Sequence, residues 1–221
     1  MIAYCSLSTN RTTRAELAKY GWRWIVGPFA PKGWRKTMGS DQYALDNGAW
    51  SCHQKGIPFD SDRFRKAVDT HGENADWVVL PDCVGDMDAT LEMAESWYGK
   101  LHGLRLMLAV QDGMDESHAL PFIGRGCGIF IGGSTDWKLD TIHMWAGLGA
   151  RHGAWVHCGR VNTVRRLKMC KWAGVRSFDG SGVSVWAKHA ARINRHLRAS
   201  DLQVPLFDRY GQNCFDLGGK E

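Results

Sequence analysis

The chain has 221 residues, of which 44% are hydrophobic and 23% are charged, which is typical of a soluble globular protein. This length supports one sizeable core, is short for two domains, and lies at the low end for an eight-stranded α/β barrel. No segment reaches about 18 consecutive apolar residues, which excludes a membrane-spanning helix, and the net charge of +5 permits a polyanionic partner without requiring one.

The seven cysteines argue against a disulfide framework. Their number is odd and none forms a Cys-x-x-Cys pair, so a reducing cytosol fits better than secretion. No run has the usual spacing of zinc ligands, and we predict no metal site. The amino terminus lacks the basic and apolar regions of a secretion signal, so we expect a cytoplasmic protein. The eleven tryptophans could be core residues or stacking surfaces for bases, and core is the default interpretation.

Short apolar runs alternate with helical patterns along the chain. Strands are predicted at 2–5, 22–26, 43–50 (including the exit of that strand), 77–80, 104–110, 128–131, 154–157 and 175–178. Helices are predicted at 12–20 with a cap at Thr12 or Thr13, at 61–71, 89–101 and 139–151, from a cap at Asn162 or Thr163 to Trp172, and at 183–197. Residues 28–42 are predicted to be a loop rich in Pro, Gly and basic residues, of a length that is usually functional or mobile.

Eight apolar strands that mostly alternate with helices predict a parallel sheet covered by helices on its outside. We therefore expect a compact single-domain (β/α)8 TIM barrel over residues 1–203, followed by an irregular tail at 204–221. The alternative is an open doubly wound sheet. Both folds bind ligands at the carboxyl ends of the strands.

Polar residues and glycines follow the predicted strands. They are Asp46, Asp82, Gln111, Gly132, Gly133, His157 and Asp179. Each has a simpler explanation, since Asp-Gly is common in turns, a glycine pair can be a bare corner, and a histidine can be packed in the core. Their shared position at strand ends is more informative than any one residue, because in a barrel they would converge on one mouth. Such a set is suited to binding a heterocycle and to catalysing acid–base chemistry on it.

The order of these motifs resembles the tRNA-guanine transglycosylase superfamily. The motifs are Leu-Asp-Asn-Gly-Ala-Trp (45–50), Leu-Pro-Asp-Cys (80–83), Ala-Val-Gln-Asp-Gly (109–113), Ile-Phe-Ile-Gly-Gly-Ser (129–134), His157–Gly159 and Ser-Phe-Asp-Gly (177–180). They look closest to the small phage-type branch that places 7-deazaguanines in DNA, the DpdA family. The resemblance covers roughly residues 43–180.

The resemblance implies two catalytic residues. Asp179 corresponds to the nucleophile that attacks C1′ of the sugar and expels guanine, and Asp46 to a residue used in proton transfer. The family has Ser-Gly-Gly-Phe after that aspartate, whereas this chain has Asn-Gly-Ala-Trp, so the pocket around Asn47 must differ. Replacement of one base by another with retained configuration needs two displacements, for which a carboxylate nucleophile and a second acid are suited.

The resemblance also implies a set of substrate-binding residues. Asp82 corresponds to the aspartate that reads the N1 and amino edge of guanine, and Gln111 to the glutamine that meets O6 or the 7-substituent. Gly132 and Gly133 correspond to a glycine pair whose backbone approaches the base. His157 is placed against the face or edge of the base, and Asn47 is counted with the substrate-binding residues.

A base inside a duplex is unreachable, so the target nucleotide must be flipped out or single-stranded. Candidates for phosphate contacts are Lys32, Arg35, Lys36, Arg160 and Arg165, and the alternative is that each belongs to a solvated surface.

The tRNA enzymes of the superfamily carry a zinc site from a Cys-x-Cys-x-x-Cys run and a later His, and nothing here matches it. The resemblance therefore predicts a barrel without the zinc-binding subdomain and without a cofactor. Its partners would be DNA and a free 7-deazaguanine such as preQ0 or preQ1, in phage DNA hypermodification and protection from restriction. If phage-encoded, the protein would act in the host cytoplasm. The alternatives are a tRNA-guanine transglycosylase, a nucleoside N-glycosidase of the same fold, and a binding protein without turnover.

Overall fold

The structure is a computed structural model that describes residues 1–38, 42–185 and 187–199. Within these residues the strands are β1 (Ile2–Ser6), β2 (Arg23–Val26), β3 (Tyr43–Leu45), β4 (Val78–Val79), β5 (Leu106–Val110), β6 (Gly128–Ile131), β7 (Val156–Cys158) and β8 (Ser177–Asp179). The helices of the same residues are α1 (Arg11–Lys19), α2 (Trp34–Met38), α3 (Ala49–Gln54), α4 (Ser61–His71), α5 (Met87–Tyr98), α6 (Glu116–Ile123), α7 (Thr135–His152), α8 (Val164–Ala173), α9 (Gly182–Val185) and α10 (Ala187–Arg198). A 3-10 turn, Gly99–Leu101, follows α5.

The eight strands form a closed parallel barrel in chain order. Closure is made by β1, which pairs with β2 on one side and with β8 on the other, where Tyr4 is in register with Asp179. The predicted (β/α)8 barrel is confirmed, and the open doubly wound sheet is excluded because such a sheet has two unpaired edges.

The strands are apolar on both faces because helices cover the outside and side chains fill the inside. All five residues of β5 are buried. Its outward-facing Leu108 belongs to the large core between the sheet and the helices, together with Ile142 and Trp145 of α7. Met107 and Ala109 of the same strand belong to the smaller core inside the barrel.

Aromatic rings fill the barrel interior. Trp77 and His157 lie with ring centroids 4.7 Å apart, and Phe130 stacks on His157 at 4.8 Å. Tyr4 contacts Trp77 in a tilted arrangement and His157 edge-on. These rings form a solid floor, and the space that remains lies above them at the carboxyl ends of the strands.

Side-chain caps set where several helices begin. Thr163 accepts a hydrogen bond from the Arg166 N–H and is therefore the N-cap of α8, one of the two caps predicted for it. The predicted cap of the first helix was wrong. Asn10 caps α1 by accepting from the Thr13 N–H, and the helix begins at Arg11.

Three helices were absent from the sequence prediction. The segment 28–42, expected to be a loop, contains α2, and α3 begins where only the exit of β3 was expected. The third, α6, contains Pro121, a residue that normally argues against a helix interior. A capping box between Asp115 and His118 offsets that cost. The predicted helix 183–197 corresponds to α9 and α10, and residue 186 between them lies outside the described residues.

The tail at 204–221 and the end of the predicted domain at 203 lie outside the described residues. Among the helices that the structure describes, none is both long and apolar enough to cross a bilayer.

Candidate active site

A cavity of about 980 Å³ opens at the carboxyl ends of the strands. Its walls include Asp46, Asp82, Gln111, Gly132, Gly133 and Asp179. Leu7, Ile25, Val79 and Phe130 give it an apolar base. Its size and mixed lining suit a planar heterocycle with an attached sugar.

Asp179 ends β8 and enters the cavity with its side chain 14% exposed. Its Oδ1 accepts a hydrogen bond from the Arg160 N–H at 3.1 Å, and the same N–H lies 3.3 Å from Oδ2. Oδ2 also lies 3.3 Å from His157 Nε2. The carboxylate is thus fixed in position by nitrogen donors from the neighbouring strand end.

The direction of these hydrogen bonds follows from the Asp179 carboxylate, whose oxygens can only accept, so His157 Nε2 carries the proton that faces Oδ2. In the neutral ring Nδ1 then has no proton, and it accepts from the Ser177 hydroxyl at 2.9 Å. The Ser177 oxygen in turn accepts from Trp155 Nε1–H at 2.7 Å. Burial lowers the pKa of His157, which is consistent with the neutral ring.

Arg160 connects three parts of the cavity rim. Its φ is +58°, a left-handed conformation that costs about 1–2 kcal/mol for a residue with a Cβ. Its guanidinium donates to the Gly133 carbonyl at the end of β6 and lies 4.8 Å above the ring of Trp50. Trp50 is on α3, which follows β3 on the opposite side of the barrel. The contact therefore spans the mouth of the cavity.

Asp46 follows β3 on the other wall. Desolvation raises the pKa of its carboxyl to about 7, with smaller contributions from the negative charges of Asp82 and Asp179. The Gly48 N–H, 3.3 Å from Asp46 Oδ2, acts in the opposite direction but is too weak to cancel burial. A carboxyl that titrates near neutral pH is suited to giving and taking a proton.

Asp82 and Asn47 form a pair beside Asp46. The Asn47 amide donates to Asp82 Oδ1 at 2.6 Å and to the Leu80 carbonyl at 2.7 Å, while its oxygen accepts from the Ala49 N–H. Desolvation raises the pKa of Asp82 to about 6 despite the hydrogen bond from Asn47. Asn47 is buried and orients Asp82, which lines the cavity.

Gln111 lines the cavity, but its amide group is occupied by the loop after β4. Its nitrogen donates to the Cys83 carbonyl at 2.8 Å, the Asp86 carbonyl at 3.0 Å and Thr90 Oγ1 at 2.5 Å. Its oxygen accepts from the Gly85 N–H at 2.8 Å. The expected contact with O6 or a 7-substituent would require these bonds to break, and in this structure Gln111 holds the loop that forms the wall.

The glycine pair lies where the sequence predicted, with both backbones in the cavity wall. Gly133 has φ +66°, and a Cβ there would lie 2.6 Å from Asp112 Oδ2. Asp112 accepts from the Ser134 N–H at 2.6 Å and from its hydroxyl at 2.5 Å, which fixes the start of α7. Burial would raise the pKa of Asp112, but the bonds from Ser134 prevail and lower it.

His157 does not line the cavity. It is completely buried beneath Asp179, between the rings of Phe130 and Trp77. The structure therefore places it under the carboxylate, and of these three rings it is Phe130 that lines the cavity.

The five basic candidates for phosphate contacts do not lie together. Arg160 is at the mouth, and Lys32 is exposed next to Pro31 of the cavity wall. Lys36 is exposed on α2 and Arg165 on α8, neither among the lining residues. Arg35 lies away from the mouth, where it donates to the Tyr43 hydroxyl at 2.8 Å and packs over the Tyr43 ring.

Two further cations surround an aromatic side chain of the cavity wall. Lys55 Nζ lies 4.6 Å from the centre of the Phe29 ring, and the Arg63 guanidinium lies 5.1 Å from it. With the 42% exposed Trp50, these residues form the rim on the side of α3 and α4.

Within the described residues, no group of three or more His, Cys, Asp and Glu side chains is arranged to hold a metal ion.

Sequence reasoning missed three contributors to this site. Ser177 and Trp155 form the hydrogen-bonded chain that holds His157, yet neither the serine nor the tryptophan stands out in a strand sequence. The third, Lys138, donates to the carbonyl of Gly159 in the cavity wall. It had a detectable signal, because it lies four residues before Ile142 on the apolar face of α7. The predicted helix began one residue too late to include it.

No protein-family model matches the sequence, and no curated protein matches it significantly.

Proposed function

We propose that the protein is a DNA-guanine transglycosylase that exchanges guanine in DNA for a 7-deazaguanine base through a covalent aspartyl–sugar intermediate. The observation that carries the proposal is the pairing of two differently held carboxyls across one cavity. Asp179 accepts N–H donors from Arg160 and His157, while desolvation raises the pKa of Asp46 to about 7. A nucleophile and an acid–base group of this kind are what a double displacement at a sugar carbon requires.

In the first half of the reaction, an Asp179 oxygen forms a bond to C1′ as the bond from C1′ to the base nitrogen breaks. Protonated Asp46 supplies the proton that the departing guanine needs. In the second half, the Asp46 carboxylate removes a proton from the nitrogen of the incoming base. That nitrogen then bonds to C1′ and releases Asp179. The acid used in the first half is regenerated in the second, so no further reactant is needed.

Recognition of the base is assigned to Asp82 and the cavity wall. A carboxylate accepts hydrogen bonds from the N–H groups on the edge of guanine, and Asn47 orients Asp82 for this. Phe130 offers a ring below and the backbone of Gly132 and Gly133 offers a flat edge. Phosphates of a flipped or single-stranded DNA would meet the basic rim, where Arg160 and Lys32 lie.

The test is nucleoside mass spectrometry of DNA after incubation with the protein and a candidate base such as preQ0 or preQ1. We expect the 7-deazaguanine nucleoside to appear in the DNA and a covalent protein–DNA adduct to accumulate when the incoming base is withheld. Asp179→Asn should abolish both, with exchange at least about 10⁴-fold slower, since loss of a catalytic nucleophile has effects of this size.

Other outcomes would identify the alternatives. Incorporation into tRNA and not DNA would assign the same chemistry to tRNA. Release of base from free nucleosides without incorporation would indicate an N-glycosidase. Tight base binding with no exchange would indicate a binding protein. If Asp179→Asn exchanges labelled guanine as fast as wild type, the role given to Asp179 is wrong.

A further inference from the structure

A buried lysine lies behind the wall that holds Asp179. Lys138 is on the first turn of α7 and is 4% exposed. Its Nζ donates a hydrogen bond of 2.7 Å to the carbonyl oxygen of Gly159. Lysines are almost never fully buried without a partner, because removal of an ammonium from water is costly.

The Gly159 carbonyl and the Arg160 N–H belong to the same peptide group. The carbonyl oxygen of this group accepts a hydrogen bond from Lys138 Nζ at 2.7 Å, and its N–H donates to Asp179 Oδ1 at 3.1 Å. The peptide is planar, so a bond that fixes its oxygen also fixes the direction of its N–H. The ammonium also polarises the peptide in the direction that strengthens donation to a carboxylate.

The charges around Lys138 come from every element packed against it. Strand β7 and the residues after it bring His157, Cys158 and Arg160, α8 brings Arg166 and Cys170, and β8 brings Asp179. Burial lowers the pKa of Lys138 to about 8, and the positive Arg160 and Arg166 act in the same direction. Asp179 opposes them and favours the ammonium. The site thus keeps a buried cation close to the carboxylate without direct contact.

We infer that Lys138 is a positioning residue that orients and polarises the Gly159–Arg160 peptide against the carboxylate of Asp179. The catalytic meaning of this role rests on the proposed function, whereas the geometric role does not. A merely structural lysine would satisfy the Gly159 carbonyl without affecting the reactivity of Asp179.

The first experiment is nuclear magnetic resonance of the Arg160 amide, which does not depend on activity. In wild-type protein we expect the Arg160 amide shift and the Lys138 side-chain carbon shift to titrate together near pH 8. In Lys138→Met, an apolar side chain of similar length, that step should vanish and the amide proton should move upfield. Lys168→Met, which removes an exposed lysine of α8, should leave the step in place. If the Arg160 amide shift in wild type does not change as Lys138 titrates, the inference is wrong, and this result does not require Lys138→Met to fold.

The second experiment measures the consequence for exchange. We expect kcat in Lys138→Met to fall by about 10- to 100-fold with little change in KM, since a displaced nucleophile slows the chemical step. Lys138→Gln, a shorter neutral donor, should recover part of this loss. An unchanged kcat in a folded Lys138→Met variant would contradict the inference. If wild type shows no exchange, the proposed function fails, and the amide titration still decides the role of Lys138.

Discussion

The two walls of the cavity hold the same type of residue in opposite ways. On the β7–β8 wall, Asp179 accepts N–H donors from a peptide and a neutral imidazole. On the β3–β4 wall, desolvation raises the pKa values of Asp46 and Asp82 to about 7 and about 6. Asp179 is thus held by hydrogen-bond donors, whereas desolvation on the β3–β4 wall favours the protonated forms of Asp46 and Asp82.

This contrast teaches that one residue type can be held in two environments in one cavity, and the proposed function assigns a different role to each environment. Two carboxyls in equal surroundings would compete for one proton and titrate as a pair. Here the nearest polar groups differ, because Asp179 has His157 and Arg160 beside it whereas Asp46 has only weak backbone donors. This difference in environment is the basis on which the proposed function takes Asp46 as the acid–base group and Asp179 as the nucleophile.

On the β3–β4 wall, the largest expected effect comes from removing the acid Asp46. In Asp46→Asn we expect the rate of adduct formation to fall by about 10²- to 10⁴-fold, the range for loss of a general acid. In wild type this rate should fall as the pH rises through about 7, because Asp46 then loses the proton that guanine needs. The variant should show no such pH dependence in that range. Single-turnover measurements from pH 5 to about 9 test both expectations.

Asp69→Asn, on the outer surface of α4, serves as the control and should keep both the rate and its pH dependence. If Asp46→Asn forms the adduct at the wild-type rate, the division of roles between the two walls is wrong.

The barrel and the positions of the catalytic candidates could be predicted from sequence. Apolar runs such as Leu106–Val110 mark strands buried on both faces, and the polar residue after each run falls at the carboxyl end. This rule placed Asp46, Asp82 and Asp179 in one cavity correctly. The same rule could not show that His157 differs from these three aspartates. His157 lies one position before the end of β7, and its buried side chain points into the barrel interior and not into the mouth.

The hydrogen-bond partners could not be predicted from sequence. Gln111 ends a strand as expected, yet its amide is bound by a loop 25 to 28 residues away in the chain. Arg35 was chosen for its charge, but the ring of Tyr43 and its hydroxyl draw it against the barrel. Such contacts depend on tertiary packing between elements that no local pattern records.

A smaller effect is expected on the stability of the fold, where the two walls should again differ. The pKa of Asp46 is raised on folding from an unfolded value near 3.9, so its proton stabilises the folded state. This contribution is fully present below about pH 4 and is lost as the pH rises through about 7. Asp46→Asn removes the ionisable group, so at pH 8 we expect the variant to be more stable than wild type by on the order of 1 to 3 kcal/mol. Urea unfolding at several pH values measures this difference.

The gain should shrink towards pH 4 and vanish below it, where wild-type Asp46 is protonated in both states. Asp69→Asn should show no comparable pH-dependent gain, because that side chain is exposed. A constant difference between Asp46→Asn and wild type at all pH values would indicate a packing effect and not the titration of Asp46.

The smallest effect concerns the backbone that holds Asp179 on the β7–β8 wall. Arg160 has φ +58°, which glycine adopts freely and alanine does not. Arg160→Gly and Arg160→Ala both lose the guanidinium over Trp50, and both keep the N–H that donates to Asp179. We expect the glycine variant to be more stable than the alanine variant by up to about 1 kcal/mol, since relief of left-handed strain exceeds the entropy cost of glycine in the unfolded chain.

Chemical unfolding of the two variants measures this difference, and both should still form the adduct because the donor to Asp179 is a backbone group. An alanine variant at least as stable as the glycine variant would show that residue 160 leaves the left-handed conformation when its side chain is shortened. The β7–β8 wall would then depend on the guanidinium bridge to Gly133 and Trp50, and adduct formation should fall in both variants together.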